Sequence, residues 1–356
     1  MLADPIDRRA TLVAFHHDRF DYPLPPDHRF PLGRYRLLRE SLAHEPGVEL
    51  REARAATDRE LARAHGAAYL HRAINGELSR REIAALGLPW SARLVERARR
   101  STGATIDAAT LAMRTGAAVN LGGGTHHAAP DAGRGFCLFN DVVCAIRSLR
   151  ATGALRTVAV IDTDVHQGDG THLCLAGDAL AVTGSVNGGR NYPLRRVPGD
   201  VEIDLADRTG DDEYLTAVAA VVDGVLARGR PELCFYLAGA DPWEGDRLGR
   251  LAVSAAGLAE RDRLVRDRLR AIGIPVVVVL AGGRGAPGGG AVASHVPTGG
   301  GVFVRGDPAA AVGGAGRKFK ATATWGAGGV MSPPPSHARH ILHRDENHGP
   351  TLERAA

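Results

Sequence analysis

The chain has 356 residues, 44% of them hydrophobic and 24% charged, enough apolar material for one large α/β core or two small ones. Its net charge of +4 comes from the last 73 residues, where eight basic side chains face four acidic ones. Residues 1–283 are neutral and carry no basic cluster that would suit nucleic acid. No apolar run reaches the ~18 residues of a membrane span, and the N-terminus lacks the basic-then-apolar layout of a signal peptide. Cys137, Cys144, Cys174 and Cys234 have no CxxC spacing and read as reduced, packed thiols of a cytoplasmic protein.

Taken in order, Leu12–Phe15 predicts a short strand, and the prolines at 23, 25, 26 and 31 forbid regular structure until a helix from Leu32 to about Leu42. His16 and His17 lie between them without a carboxylate scaffold and read as surface or loop histidines. Thr57 and Glu60 form a capping-box pattern before one helix-like run, LARAHGAAYLHRAI. Two further helices are expected, Ser91 to about Arg100 and Ile106 to Thr115, then a strand at Ala117–Asn120. The stretch from Leu121 to Asp141, LGGGTHHAAPDAGRGFCLFND, places three glycines and then His126-His127 after that strand. It lacks GK[ST] and GxGxxG, so it is a poor phosphate cradle. Paired loop histidines alone suggest solvent exposure; glycine-rich backbone on one side and GRGFC on the other argue for enclosure. A helix follows from Asn140 to Ala151.

Val158–Ile161 is a continuous β-branched and apolar run, as expected of a strand buried on both faces of a parallel sheet. It ends in Asp162, Asp164, His166 and Asp169, with Gly168 and Gly170 allowing a turn. Asp162, Asp164 and His166 alternate, so in extended backbone they share a face. Converging carboxylates and imidazole suggest a divalent cation, because unpaired buried carboxylates are expensive; the alternative is a strand end with satisfied polar groups. A strand at Leu180–Thr183 leads into the loop SVNGGRNYPLRR. A helix spans Glu213–Ala227. The strand Leu233–Ala238 ends in GADPWEGDRLG, placing Asp241 beyond a second strand end, and a helix at Leu258–Ile272 precedes a third buried strand, ending at Gly283. Strands alternating with helices of this length define a parallel sheet, with a site at the C-terminal ends of its strands. From Arg284 the composition changes: 15 of 73 residues are glycine and SPPPS interrupts any period. Residues 1–283 thus read as one α/β domain, a central mainly parallel sheet flanked by helices, and 284–356 as a Gly/Pro-rich tail, disordered or loosely attached.

With Asp164, His166 and Asp241 as three ligands, a divalent cation keeps open positions, the arrangement of a catalytic zinc. A water bound there is acidified toward neutrality. His126 and His127 can take its proton, and Asp162 and Asp169 are spare carboxylates to orient their rings. This is machinery for hydrolysing an amide or ester, and it names no substrate. Oxygen and nitrogen ligands suit Zn²⁺ and Fe²⁺ alike.

In this order, GGGTHHA, GFCLFND, DTDVHQGDG, LAGADPWEGDRLG and LAGG resemble the zinc-dependent histone deacetylase family on the arginase/deacetylase fold. LPPDHRFPLGRYRLL and NYPLRR resemble its bacterial, class IV-like branch. The resemblance covers residues 11–283. It implies metal ligands at Asp164, His166 and Asp241, a general base and an electrostatic histidine at His126 and His127, paired to Asp162 and Asp169, and a channel lined by Gly135 and Phe136. It also implies a structural K⁺ near the Asp162 and Asp164 backbone, and acyl-lysine protein or small acylated amine substrates. Two departures stand out. The family's transition-state tyrosine follows the paired glycines of the last strand; here that place is Arg284, and no tyrosine follows Tyr236. The place of a channel aromatic falls on Leu194. The resemblance therefore implies a metal-dependent deacetylase with impaired turnover. The competing reading is an inactive protein that binds metal or acyl-lysine. A di-metal, arginase-like ureohydrolase would need further acidic ligands.

Overall fold

The computed structural model describes residues 11–283; Arg284 and the tail lie outside the described residues. Eight strands form one sheet: β1 (Leu12–His16), β2 (Val48–Glu52), β3 (Ala117–Asn120), β4 (Val158–Asp162), β5 (Ala181–Gly188), β6 (Val201–Leu205), β7 (Leu233–Leu237) and β8 (Val276–Val279). Every pairing is parallel, in the order β2-β1-β3-β8-β7-β4-β5-β6. The side-chain period of two explains why the inner strands are apolar throughout. On β7, Leu233, Phe235 and Leu237 enter one core while Cys234 and Tyr236 enter the other.

Nine helices are seen among the described residues. The first core is covered by α2 (Asp58–Leu61), α3 (Ala67–Asn75), α5 (Ala92–Thr115) and α6 (Asp141–Ala151), and the second by α1 (Arg34–Leu42), α8 (Asp211–Ala227) and α9 (Ala255–Ala271). Short helices α4 (Arg80–Leu86) and α7 (Asp169–Leu175) complete the set. In the sheet, β3, β8, β7 and β4 are consecutive neighbours. Being parallel, they deliver their following loops, with the glycines and histidines, LAGG, GADP and DTDVH, to one sheet edge.

Several local expectations are corrected. The two helices foreseen across 91–115 are one, α5, running through Gly103. A Cβ at Gly103 would fall 2.1 Å from the Arg54 carbonyl oxygen, so this glycine permits a close backbone approach and does not break the helix. The Thr57–Glu60 capping box is present but caps a single turn, and the helix restarts at Ala67 because Gly66 leaves it to bond the Pro130 carbonyl. The presumed loop at 185–188 is still strand β5. His16 and His17 are buried. β1 lies between β2 and β3, so its end is roofed by the glycine loop, with the His17 ring 2.4 Å from where a Gly122 Cβ would sit. All four cysteines are free and buried.

Candidate metal centre and active site

Asp164 and His166 leave the end of β4, and Asp241 stands four residues beyond β7. His166 Nδ1 lies 3.0 Å from Asp164 Oδ1 and 3.2 Å from Asp241 Oδ2. One donor atom from each of the three falls within 4.8 Å of the others. Backbone amides hold the carboxylates: Gly282 N donates to Asp164 Oδ2 at 2.7 Å, and Val165 N to Asp241 Oδ1 at 2.9 Å. Gly282 has no room for a side chain, since a Cβ there would meet Asp241 Oδ2 at 2.1 Å and Asp164 Oδ2 at 2.5 Å. Burial first, then the Asp164 charge, raises Asp241 to about 6. Burial opposes charge on His166, but bonds to both carboxylates outweigh it and raise the ring to about 10. Two buried carboxylates sharing one imidazole are a donor set short of positive charge, and a dication with two oxygen ligands and one nitrogen ligand fits it.

His126 and His127 lie beside this cluster, ring centroids 4.2 Å apart. His126 Nδ1 is 2.7 Å from Asp162 Oδ2, and His127 Nδ1 is 2.7 Å from Asp169 Oδ1. Each carboxylate fixes its partner's tautomer and leaves Nε2 free to act. The electrostatics of the two differ. Burial disfavours charge on His126, but Asp162 and Asp164 overcome it and raise its pKa to about 9. For His127, burial and then the neighbouring His126 lower it to about 3. Arg134 Nη1 lies 3.2 Å from the other oxygen of the Asp169 carboxylate.

The loop carrying both histidines is held by Asp141 at the start of α6. Its Oδ1 accepts from Thr125 N at 2.8 Å and its Oδ2 from Gly124 N at 3.0 Å. A cavity of about 390 Å³ is lined by Phe136, Tyr192, the two histidines, the Asp–His–Asp cluster, His17 and Arg34. Gly135 and Phe136 have φ of 53° and 69°. A Cβ on Gly135 would be 2.5 Å from the His127 ring. The opposing aromatic is Tyr192, its ring 4.9 Å from that of His127 and nearly perpendicular. This corrects the expectation at Leu194, which is 94% exposed. In an aperiodic loop, tertiary contact decides which side chain turns inward. Sequence reasoning also passed over Asp141, whose signal was an acidic residue after an N-cap asparagine, and Arg34, which donates to the Ala281 carbonyl at 2.6 Å and to that of Gly283. Every other foreseen site residue is at the cavity wall or directly behind it.

The comparisons with known proteins agree with this architecture. A model of the histone deacetylase domain matches residues 28–296. An uncharacterized protein of Picosynechococcus is 38% identical over 275 residues, 76% of this chain and 91% of that one. The histone deacetylase-like amidohydrolase of Pseudomonas aeruginosa is 32% identical over 253 residues, 66% of each chain. Histone deacetylase 2 of Arabidopsis thaliana is 35% identical over 189 residues, and the match spans 52% of this chain and about half, 49%, of the plant protein. Two crystal structures share the fold: an HDAC homolog complexed with SAHA (TM-score 0.67, 22% identity, 77% of this chain and 79% of that one) and an HDAC homolog from Aquifex aeolicus (TM-score 0.66, 21% identity, 76% and 79%). With the family model matching three quarters of its length and laid over this sheet and these loops, the chain belongs to the histone deacetylase family.

Proposed function

We propose that the chain is a metal-dependent amidohydrolase that removes acetyl or other acyl groups from lysine side chains or small amines such as acetylpolyamines. The observation that carries this reading is the joining of the Asp164–His166–Asp241 donor set to two carboxylate-oriented histidines inside one cavity. A divalent cation held by those three residues, Zn²⁺ or Fe²⁺, supplies Lewis acidity toward a water and the amide carbonyl. The side chains do the rest. Phe136 and Tyr192 wall the entrance and suit an aliphatic stem. His126 and His127, each oriented by its own carboxylate, share the remaining work: one accepts the proton of the attacking water and returns it to the departing amine. The other offers a donor where the tetrahedral oxyanion grows. The resemblance gives these two roles to His126 and His127 respectively.

A second reading rests on Arg284. It occupies the place of the phenol donor in the family pattern, and an arginine's length and planar fork differ from a tyrosine's reach. Loss of one such donor typically costs about 10²–10³ in rate. On this reading the chain is an inactive metal- or acyl-lysine-binding protein. A fluorogenic acetyl-lysine assay with Zn²⁺ restored, on the wild-type chain and Arg284→Tyr, separates the two. Hydrolysis by the wild type, or a gain of about 10²–10³ in the variant, supports the hydrolase; no turnover in either supports the binding protein.

A further inference from the structure

Behind the metal-centre loops, in the apolar layer between the sheet and α8 and α9, lies a polar cluster with no part in the chemistry above. Arg261 and Asp262 of α9 are neighbours in the chain and both fully buried. Arg261 Nε donates to Asp262 Oδ1 at 2.9 Å, and the Tyr236 hydroxyl of β7 donates to the same oxygen at 2.5 Å. Two contacts lead from this cluster to the site. Arg261 Nη1 donates to the Gly239 carbonyl at 2.5 Å and to the Tyr214 hydroxyl of α8 at 3.3 Å. The Tyr214 hydroxyl in turn donates to the Thr163 carbonyl at 3.4 Å. Thr163 immediately precedes Asp164, and Gly239 is two residues before Asp241. Gly239 is also pressed against Asp164: a Cβ on it would fall 2.6 Å from the Asp164 Cα.

Stability alone is a poor explanation for such a group. Desolvating an ion pair costs several kcal/mol per ion, and a packed apolar side chain of similar volume is often as stabilising or more so. What an apolar side chain cannot do is grip two carbonyls, one on each segment that ends in an acidic ligand. We propose that Arg261, fixed by Asp262 and Tyr236, is a positioning residue for the metal centre. It sets the Gly239 backbone directly and the Thr163 backbone through Tyr214, so that the Asp164 and Asp241 carboxylates converge. The inference rests on the reading that Asp164, His166 and Asp241 hold a divalent cation.

The test is an equilibrium Zn²⁺ titration against a chromophoric chelator, on the full chain and on Arg261→Met, Arg261→Lys and Tyr214→Phe, with thermal unfolding of each metal-free protein. Wild type is expected to bind one equivalent. Arg261→Met, which leaves the Asp262 carboxylate buried without its partner, is expected to unfold at a clearly lower temperature than wild type without metal, while the Zn²⁺ affinity of its folded form falls about 10–100-fold. Arg261→Lys, which keeps a donor toward Gly239, recovers part of the loss, and Tyr214→Phe loses a smaller factor than Arg261→Met. A folded Arg261→Met with wild-type affinity overturns the proposal. If that variant does not fold, Tyr214→Phe decides: reduced affinity supports the proposal and unchanged affinity overturns it. A wild-type chain that binds no Zn²⁺ removes the metal reading and this inference together, an outcome distinct from wild-type binding that no variant alters.

Discussion

His126 and His127 are the same residue in adjacent positions, each with a carboxylate at 2.7 Å, yet their surroundings push their proton affinities apart. The difference lies in the neighbouring charges: Asp164 adds to Asp162 beside His126, whereas His127 is buried against His126 itself. Backbone conformation protects this arrangement at Gly135. Gly135→Ala would place a methyl group against the His127 ring at a positive φ, a conformation that costs an L-residue of order 1–3 kcal/mol. The expected result is a fall in kcat of about 100-fold, the usual scale of a displaced acid–base group, with metal content unchanged. Steady-state kinetics and metal analysis on one preparation check it; wild-type kcat would show that His127 need not hold its place. At this scale the sequence was readable where spacing constrains geometry. The spacing of Asp162, Asp164 and His166 pointed to one cluster, but β4 ends at Asp162 and the last two meet through bends in which Asp164 N and His166 N donate to the carboxylates two residues before them, not through strand alternation. Tyr192 was unreadable because nothing periodic in its loop distinguishes it from Leu194.

At the scale of elements, sheet order carries the site. The four loops with the chemistry follow β3, β8, β7 and β4, which are far apart in the chain and adjacent in the sheet. The buried strands β4, β7 and β8 were legible as unbroken apolar runs. The edge strands β2 and β6 were not, because half-exposed segments such as VEIDL carry charges at alternate positions and resemble loop. Glycine inside α5 misled for a related reason: its propensity suggests a break, while its cause is a tertiary contact with Arg54. Helix propensity alone would make Gly103→Ala stabilising by about 1 kcal/mol. The overlap with the Arg54 carbonyl predicts the reverse, a loss of about 1–3 kcal/mol. Urea unfolding of the variant checks this, and a gain in stability would contradict the close approach.

Across the whole molecule, buried neutral histidines make the fold sensitive to acid. His65 links two parts of the chain: Nδ1 donates to the Ala129 carbonyl at 2.9 Å, and Nε2 accepts from Asn140 N at 2.9 Å. Burial lowers its pKa from 6.5 to about 4. The unfolded chain therefore binds more protons between these two values, so stability falls as pH drops from about 6.5 toward 4. The His65 share is about 3 kcal/mol once pH is below both values. Gln can make both bonds without titrating, so His65→Gln should lose less stability than wild type between pH 7 and 4.5 in urea unfolding. Equal losses would contradict the assignment. The cation itself is reached most directly by metal analysis of the purified chain and of Asp241→Ala after dialysis against excess Zn²⁺. One equivalent per wild-type chain and none in the variant is the expected result; one equivalent retained in Asp241→Ala would contradict a centre built on Asp164, His166 and Asp241.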